Sequence, residues 1–277
     1  MIRHTRFSVI IISASRRKQL FWTLKACLRS RRKPSEIIIV HMDELLEIYH
    51  ENTNIKQYRI AEGHRLPLAA ARNLGAEKAS TDKLIFLDVD CIPSYYCFER
   101  LLNKLEDTDV VMGTPRYLTR PIQNFKQLSK KSIDHPLKPI LRSPTIEKDY
   151  NQFWSLIFTI RKRDFCNVNG FYENYKGYGA EDTDLAQKFK FHALELFRVN
   201  AVVYHQYHQV YRPPLNHFEG IVANANLFYE RWNFFPMMNW IEVFEERGLV
   251  KLERGKLKIL RFPDAKEIRK SKTTSAF

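Results

Sequence analysis

The sequence predicts an α/β fold in which a mostly parallel sheet is flanked by helices and followed by a helical extension at the C-terminal end. Three features carry that prediction. The runs Phe7–Ile12, Glu36–Val40 and Lys83–Leu87 are almost continuously apolar and rich in β-branched residues, as strands buried on both faces are. Between the first two lies a basic segment with Leu20, Leu24 and Leu28 at i, i+4 spacing, the stripe of an amphipathic helix. A strand–helix–strand opening of this kind closes into a parallel crossover.

The remaining elements follow in chain order. Pro34 ends the first helical segment. Lys56–Ile60 is a candidate third strand, and the Ala-rich stretch Leu66–Ala79 is a candidate helix. Lys83–Leu87 runs directly into Asp88-Val89-Asp90. Ser94 is placed to cap a helix carrying Phe98, Leu101, Leu102 and Leu105, and Asp109–Gly113 reads as a further strand. Residues 115–149 change character. Several prolines, many basic residues and weak periodicity predict a long surface loop or an acceptor-binding insertion. Regular structure returns as a strand at Phe153–Phe158, a helix at Asp182–Phe191 and a strand at Leu194–Tyr204. Residues 214–247 read as helical with a break near Pro236, Lys251–Phe262 as a hairpin around Arg254-Gly255, and the last dozen residues as a loose tail. There is no internal repeat.

The chain has 277 residues, 44% of them hydrophobic, enough for one large domain or two small ones with a substantial core. Lys+Arg number 45 against 31 Asp+Glu, a formal net charge of +14. The excess is uneven: residues 1–34 hold ten Lys/Arg and no Asp/Glu, and residues 247–277 hold ten against three. Such a surface either simply solvates or attracts phosphates, acidic sugars or an anionic membrane. No nucleic-acid-binding motif stands out. The cysteines Cys27, Cys91, Cys97 and Cys166 include no C-x-x-C pair, so zinc spacing is absent. Their sparse use fits free, buried thiols in a reducing compartment. The run at Phe7–Ile12 is too short to span a bilayer and lacks a signal-peptide cleavage site. The expected location is the cytoplasm, with a peripheral contact at the inner face of the membrane.

Four segments could carry chemistry. Asp88 and Asp90 leave the end of a buried strand, where ligands bind in open α/β sheets. Paired carboxylates repel unless a cation joins them, and hard oxygen ligands suit Mg²⁺ or Mn²⁺ with diphosphate oxygens completing the shell. The competing description is a polar turn that caps the next helix. In GYGAEDTDL, Gly177 and Gly179 permit close backbone approach to a ligand. Glu181, Asp182 and Asp184 then either deprotonate an acceptor hydroxyl or simply complement the helix dipole, with Asp184 also placed to pair with Lys188. His205 and His208, after a strand, suggest metal ligation, His205 first. Arg72 either grips a diphosphate or faces solvent from its helix. There is no G-x-G-x-x-G, P-loop or G-x-S-x-G motif.

Taken together, these segments resemble the family 2 glycosyltransferases of the GT-A fold over about residues 6–247. FSVIIISASRRKQLFWTLKACLRS is similar to that family's first strand and helix, and AAARNLGAEKASTDKLIFLDVDCIP to its helix, strand and D-x-D unit. NGFYENYKGYGAEDTDLAQKF resembles the C-terminal motif of galactosyltransferase-like members, VVYHQYH their histidine segment, and ANLFYERWNFFPMMNW the tail of a bacterial subgroup. The resemblance implies that Asp88 and Asp90 contact metal and nucleotide, and that His205 or His208 is the later metal ligand. It further implies that Asp182 is the catalytic base with Glu181 beside it, and that Arg72 lies near the uridine or diphosphate. Ser13 and Arg16 would lie in the first nucleotide-binding loop, Asp43 would face the base, and Gly179 would lie against the donor. The sequence departs from the family's pattern at VHMDE, where an acid pair is usual, at Tyr178, where Trp is usual, and at Ala180, where a second Gly is usual.

These expectations imply a GT-A domain over 1–212, with a nucleotide-binding half at about 1–113 and an acceptor and catalytic half at about 114–212. A C-terminal helical extension and basic tail would follow over 213–277. The implied function is metal-dependent, inverting transfer from a nucleotide sugar, UDP-linked by resemblance, to a glycan or glycolipid hydroxyl. Aromatic residues such as Trp154, Tyr175 and Tyr178 are candidates for stacking on sugar faces. The alternatives are a nucleotidyltransferase acting on sugar phosphates and a non-catalytic, basic nucleic-acid-binding protein.

Overall fold

The computed structural model describes residues 5–46, 54–60 and 66–276. The chain opens with β1 (Phe7–Ser13), α1 (Arg17–Arg29), β2 (Glu36–His41), β3 (Ile55–Arg59), α2 (Leu68–Lys78) and β4 (Lys83–Asp88). Their four strands lie side by side in the order β3-β2-β1-β4, all parallel. Every residue of β1 and β2 is buried, which is why both read as unbroken apolar runs. Alternate residues of β1 serve opposite faces, as the two-residue period requires. Val9 and Ile11 join Leu20, Leu24 and Phe98 in one core cluster, whereas Ile10 and Ile12 join Ala69, Ala71, Ala76 and Phe86 in the other. The alanines of α2 let it lie close to the sheet. At Gly75 even a Cβ would overlap Ile10 Cγ2.

A three-residue strand that the sequence does not announce, β5 (Cys91–Pro93), follows the Asp88–Asp90 turn. Next come α3 (Cys97–Leu105), β6 (Val110–Leu118), β7 (Ser132–Asp134), β8 (Thr145–Ile146), β9 (Ile157–Arg161), α4 (Lys162–Asn167), α5 (Glu181–Phe191) and β10 (Leu196–His205). They extend the sheet to β3-β2-β1-β4-β9-β6-β10-β5. β9 is antiparallel to both its neighbours, β6 and β10 are parallel, and β5 is antiparallel to β10. The sheet is therefore parallel over β3-β2-β1-β4 and mixed from β9 onward.

Several expectations change here. Ser94 does not cap α3, which starts three residues later with no side-chain cap; its amide instead donates to Val202 O. The segment 115–149 is less loop-like than its composition suggests. β6 runs on to Leu118, β7 pairs with it, β8 pairs with β10, and 3-10 turns lie at Phe125–Gln127 and Tyr150–Gln152. The strand expected at Phe153–Phe158 begins only at Ile157, and Phe153 is instead a buried core residue. Of the four free cysteines, Cys166 is exposed.

The C-terminal part comprises β11 (Val210–Tyr211), α6 (Phe218–Trp232), α7 (Met238–Glu246), β12 (Val250–Glu253), β13 (Lys256–Ile259), α8 (Ala265–Lys270) and β14 (Lys272–Thr273). α6 and α7 flank the expected break, and the β12–β13 hairpin turns at Arg254-Gly255, both with positive φ. Leu215, Phe218, Ile221, Ile241, Phe244 and Leu257 form a local apolar cluster. The tail is not loose. Asp264 and Glu267 make a capping box that starts α8, and β14 pairs with β11. No helix among the described residues is long and apolar enough to cross a membrane.

Candidate active site

The site begins where β4 ends. The turn Val89-Asp90 is held from beneath by Thr23 of α1, whose hydroxyl donates to Val89 O at 2.8 Å. β5 then pairs with the end of β10, with Cys91 opposite His205, and the Gln206 amide donates to Asp90 O at 2.8 Å. This pairing carries the Asp90 carboxylate to the two histidines. Asp90 Oδ2 lies 3.1 Å from His208 Nε2 and 3.8 Å from His205 Nε2. One ligand atom from each residue falls within 4.8 Å of the others, the one such group among the described residues.

The chemistry of these atoms fits a divalent cation. His208 Nδ1 lies 2.9 Å from Gln209 O, and a carbonyl can only accept, so Nδ1 carries the proton. Nε2 is then the nitrogen turned toward the Asp90 carboxylate, the orientation a metal-binding histidine takes when a backbone carbonyl accepts from its other ring nitrogen. Burial lowers the pKa of His205, with the charge of Asp90 opposing the shift. Burial opposes ionisation of Asp90, but the His205 ring and the His208 hydrogen bond outweigh it and hold the carboxyl below the ordinary aspartate range.

Asp88 turns the other way. Its Oδ1 accepts from Arg72 Nη2 at 3.1 Å, and Arg72 Nη1 donates to Glu181 Oε1 at 3.2 Å. Arg72 is only 4% exposed, so the guanidinium is a buried strut between two carboxylates rather than a hand open to phosphate. Asp88 lies outside the Asp90–histidine group. Asp88 and Arg72, expected at the metal and near the uridine or diphosphate, are thus bonded to each other in this structure. Burial lifts the Asp88 carboxyl to about 6, with Arg72 opposing the rise and Asp90 and Glu181 adding to it.

Asp182, in the first turn of α5, accepts from the Thr183 amide at 2.8 Å. Burial raises its pKa, and the adjacent charge of Glu181 raises it further. Burial raises the pKa of the Tyr178 hydroxyl, and the nearby charges of Glu181, Asp182, Asp88 and Asp90 raise it further. The neighbouring Asp184 is fully buried and spoken for. It accepts from Arg231 Nε at 2.7 Å, Trp232 Nε1 at 2.7 Å and Tyr175 at 3.2 Å, with Lys188 at 3.9 Å.

On the β1 side, Ser13 is 1% exposed and its Oγ has no hydrogen-bond partner among the described residues. Asp43 Oδ2 accepts from the Ser15 hydroxyl at 2.7 Å and from its amide, tying the exit of β2 to the β1–α1 loop. The charge of Arg16 acts on both Asp90 and His205. Gly179 has φ +99, and a Cβ there would meet Met237 Sδ at 2.9 Å. Asn224 of α6 clamps this loop through Gly179 O at 3.0 Å and Lys176 O at 3.2 Å.

The family model described as "Glycosyltransferase like family 2" matches residues 10–224. The chain belongs to this glycosyltransferase family. It is 26% identical over 140 residues to β-1,4-galactosyltransferase 1 of Homo sapiens, covering 47% of this chain and 27% of that protein. It is 25% identical over 221 residues to validoxylamine A glucosyltransferase of Streptomyces hygroscopicus subsp. limoneus, covering 68% and 49%. The chain thus spans half or less of the length of these curated relatives. Among solved structures, a fragment of S. aureus TarS in complex with UDP aligns with TM-score 0.56 at 14% identity, covering 80% of this chain and 64% of that one. GalNAc-T7 with UDP, GalNAc and Mn²⁺ aligns with TM-score 0.56 at 16% identity, covering 75% and 45%. These likenesses place the fold as GT-A.

Of the residues singled out from sequence, the fold gathers Asp90, His205 and His208 into one group and joins Asp88 to Glu181, beside Asp182, through Arg72. Both histidines, rather than one, face Asp90. Tyr175 is 1% exposed and bonded to Asp184, so it is a core residue and not a stacking surface. Trp154 packs edge-on against His135 at 4.8 Å. Tyr178 is the exposed aromatic, stacked between His217 at 5.1 Å and Trp240 at 5.8 Å. Sequence reasoning missed His217 and Trp240, which come from the C-terminal extension, and Tyr117, which packs on His205 at 5.0 Å. No local pattern marks them; only the position of Tyr178 in its motif pointed to an aromatic site.

Proposed function

We propose that the protein transfers a sugar, with inversion, from a UDP-sugar to a hydroxyl of a glycan or glycolipid acceptor, and that the reaction depends on Mn²⁺ or Mg²⁺. One observation carries this reading: the Asp90, His205 and His208 ligand atoms converge in the cleft that also holds Asp182. Asp90, His205 and His208 would hold the ion, and two imidazoles favour Mn²⁺ over Mg²⁺. A divalent ion there supplies positive charge against the leaving diphosphate. The UDP and Mn²⁺ found with the fold neighbours support the same donor chemistry.

Asp182 acts as general base. It takes the acceptor hydroxyl's proton as that oxygen attacks the anomeric carbon, and the electron pair of the breaking C–O bond leaves on the nucleoside diphosphate. A single in-line displacement inverts the centre. Arg72 holds Asp88 and Glu181 in place, so that Asp88 can accept from donor hydroxyls and Glu181 can orient Asp182. Ser13, Arg16 and Asp43 line the nucleotide loop, and Gly179 brings the backbone of the motif close to the donor. The division of labour runs 1–113 for nucleotide, 114–212 for acceptor and catalysis, and 213–277 as an extension that lends His217 and Trp240 to the rim.

The test is a screen of nucleotide-sugar hydrolysis with and without Mn²⁺. The expected result is release of UDP that needs the ion, and loss of ion-dependent donor binding in Asp90→Ala and His208→Ala. Release of pyrophosphate, or equal donor binding by Asp90→Ala in the presence of Mn²⁺, would refute the assignment.

A further inference from the structure

Residues 5–35 and 110–133 contain no Asp or Glu, and the fold lays part of one stretch on the other. Trp22 of α1 meets Phe125 edge to face, with centroids 5.3 Å apart, and the Arg29 guanidinium sits 5.0 Å from the same ring. On α1, Arg17, Phe21, Lys25 and Arg29 recur every fourth residue, which sets them in one stripe. All four are exposed, and Phe21 is 58% so. The first turn of α1 carries no acid, so the positive end of its dipole meets Arg17 and Lys18, an arrangement that costs the free helix stability.

We infer that this face of α1, with the Phe125 turn beside it, docks on an anionic lipid bilayer. Charge complementarity selects an anionic partner, and the large exposed aromatic in the middle of the basic stripe selects a bilayer. Headgroups take the cations while the interface takes Phe21 and the edge of Trp22. A soluble polyanion would engage the cations and leave Phe21 in water. Trp22 and Phe125 also share an apolar cluster with Tyr207, the residue before His208. Docking on this face would therefore hold the cleft beside the membrane, within reach of a lipid-linked acceptor. That last consequence rests on the proposed function; the docking does not.

The test is co-sedimentation of the full chain with phosphatidylcholine vesicles, with and without phosphatidylglycerol, at low and high salt. Binding should require phosphatidylglycerol and weaken with salt. Lys25→Glu with Arg29→Glu should lower the partition coefficient by at least about fivefold per charge. Phe21→Ser should lower it by about fivefold with the charge unchanged. Both variants should keep wild-type melting and wild-type donor hydrolysis in vesicle-free solution, so failure here is separable from failure of the active-site assignment. Absence of binding to phosphatidylglycerol vesicles, or charge-reversed protein binding as well as wild type, would overturn the inference. So would Phe21→Ser binding vesicles like wild type, since the face would then serve anionic polymers in general.

Discussion

At the scale of single residues, the decisive feature is how differently the four acids of the cleft are held. Asp90 is kept ionised by two histidines, Asp88 is lifted to about 6 by burial, and Asp182 is raised by burial and by Glu181. A base works only when ionised, so activity should fall as pH drops through the raised pKa of Asp182. The acid limb of the kcat/KM profile should lie above the ordinary aspartate range of about 4. Glu181→Gln removes a negative neighbour, lowers that pKa and should move the limb to lower pH; an unmoved limb would assign the titration elsewhere. Asp182→Asn should lose transfer by about a hundredfold or more while retaining donor binding, read by calorimetry against turnover. Near wild-type turnover would remove Asp182 from the role of base.

At the scale of elements, α5 and α6 are joined through one buried carboxylate. Asp184 of α5 is 0% exposed and accepts from Arg231 and Trp232 of α6 and from Tyr175. Its acidic neighbours in the first turn of α5 face the cleft, but Asp184 faces the protein. Asp184→Ala would leave the Arg231 guanidinium and the Trp232 N–H without their shared acceptor. The expected cost is about 3–5 kcal/mol, measured by chemical denaturation, where a loss below about 1 kcal/mol would contradict the staple. β5 works at the same scale in the opposite sense. It is three residues long, with Cys91 and Ile92 fully buried, and its pairing with β10 fixes where Asp90 points.

At the scale of the whole molecule, Arg72 joins the end of the parallel strands to the start of α5. It leaves α2, bonds Asp88 at the end of β4 and Glu181 at the start of α5, and lies 5.2 Å from the Phe171 ring centroid. Arg72→Ala strands the buried Glu181 carboxylate and the partly buried Asp88 carboxylate and should cost about 3–5 kcal/mol. Arg72→Lys keeps one charge but cannot fork between two partners, so it should recover part of the stability while donor KM stays raised. Denaturation and steady-state kinetics on the two variants separate these effects; a lysine variant with wild-type KM would show that charge alone, not the fork, sets the site.

Much of this protein was legible before any tertiary contact. Runs of buried strand residues, helical stripes, the Arg254-Gly255 turn and the positions of Asp88, Asp90, Glu181, Asp182, His205 and His208 all follow from local chemistry, because periodicity and turn preference act between near neighbours. What the tertiary structure alone decided is who faces whom. It turned Asp88 toward Arg72, gave Asp90 to both histidines through β5, sent Asp184 into the core, stacked Tyr178 between His217 and Trp240, and ordered the tail through α8 and β14. Each of these joins residues far apart in sequence or chooses between adjacent carboxylates. Such choices depend on strand register and on which long loops close, and no local pattern encodes either.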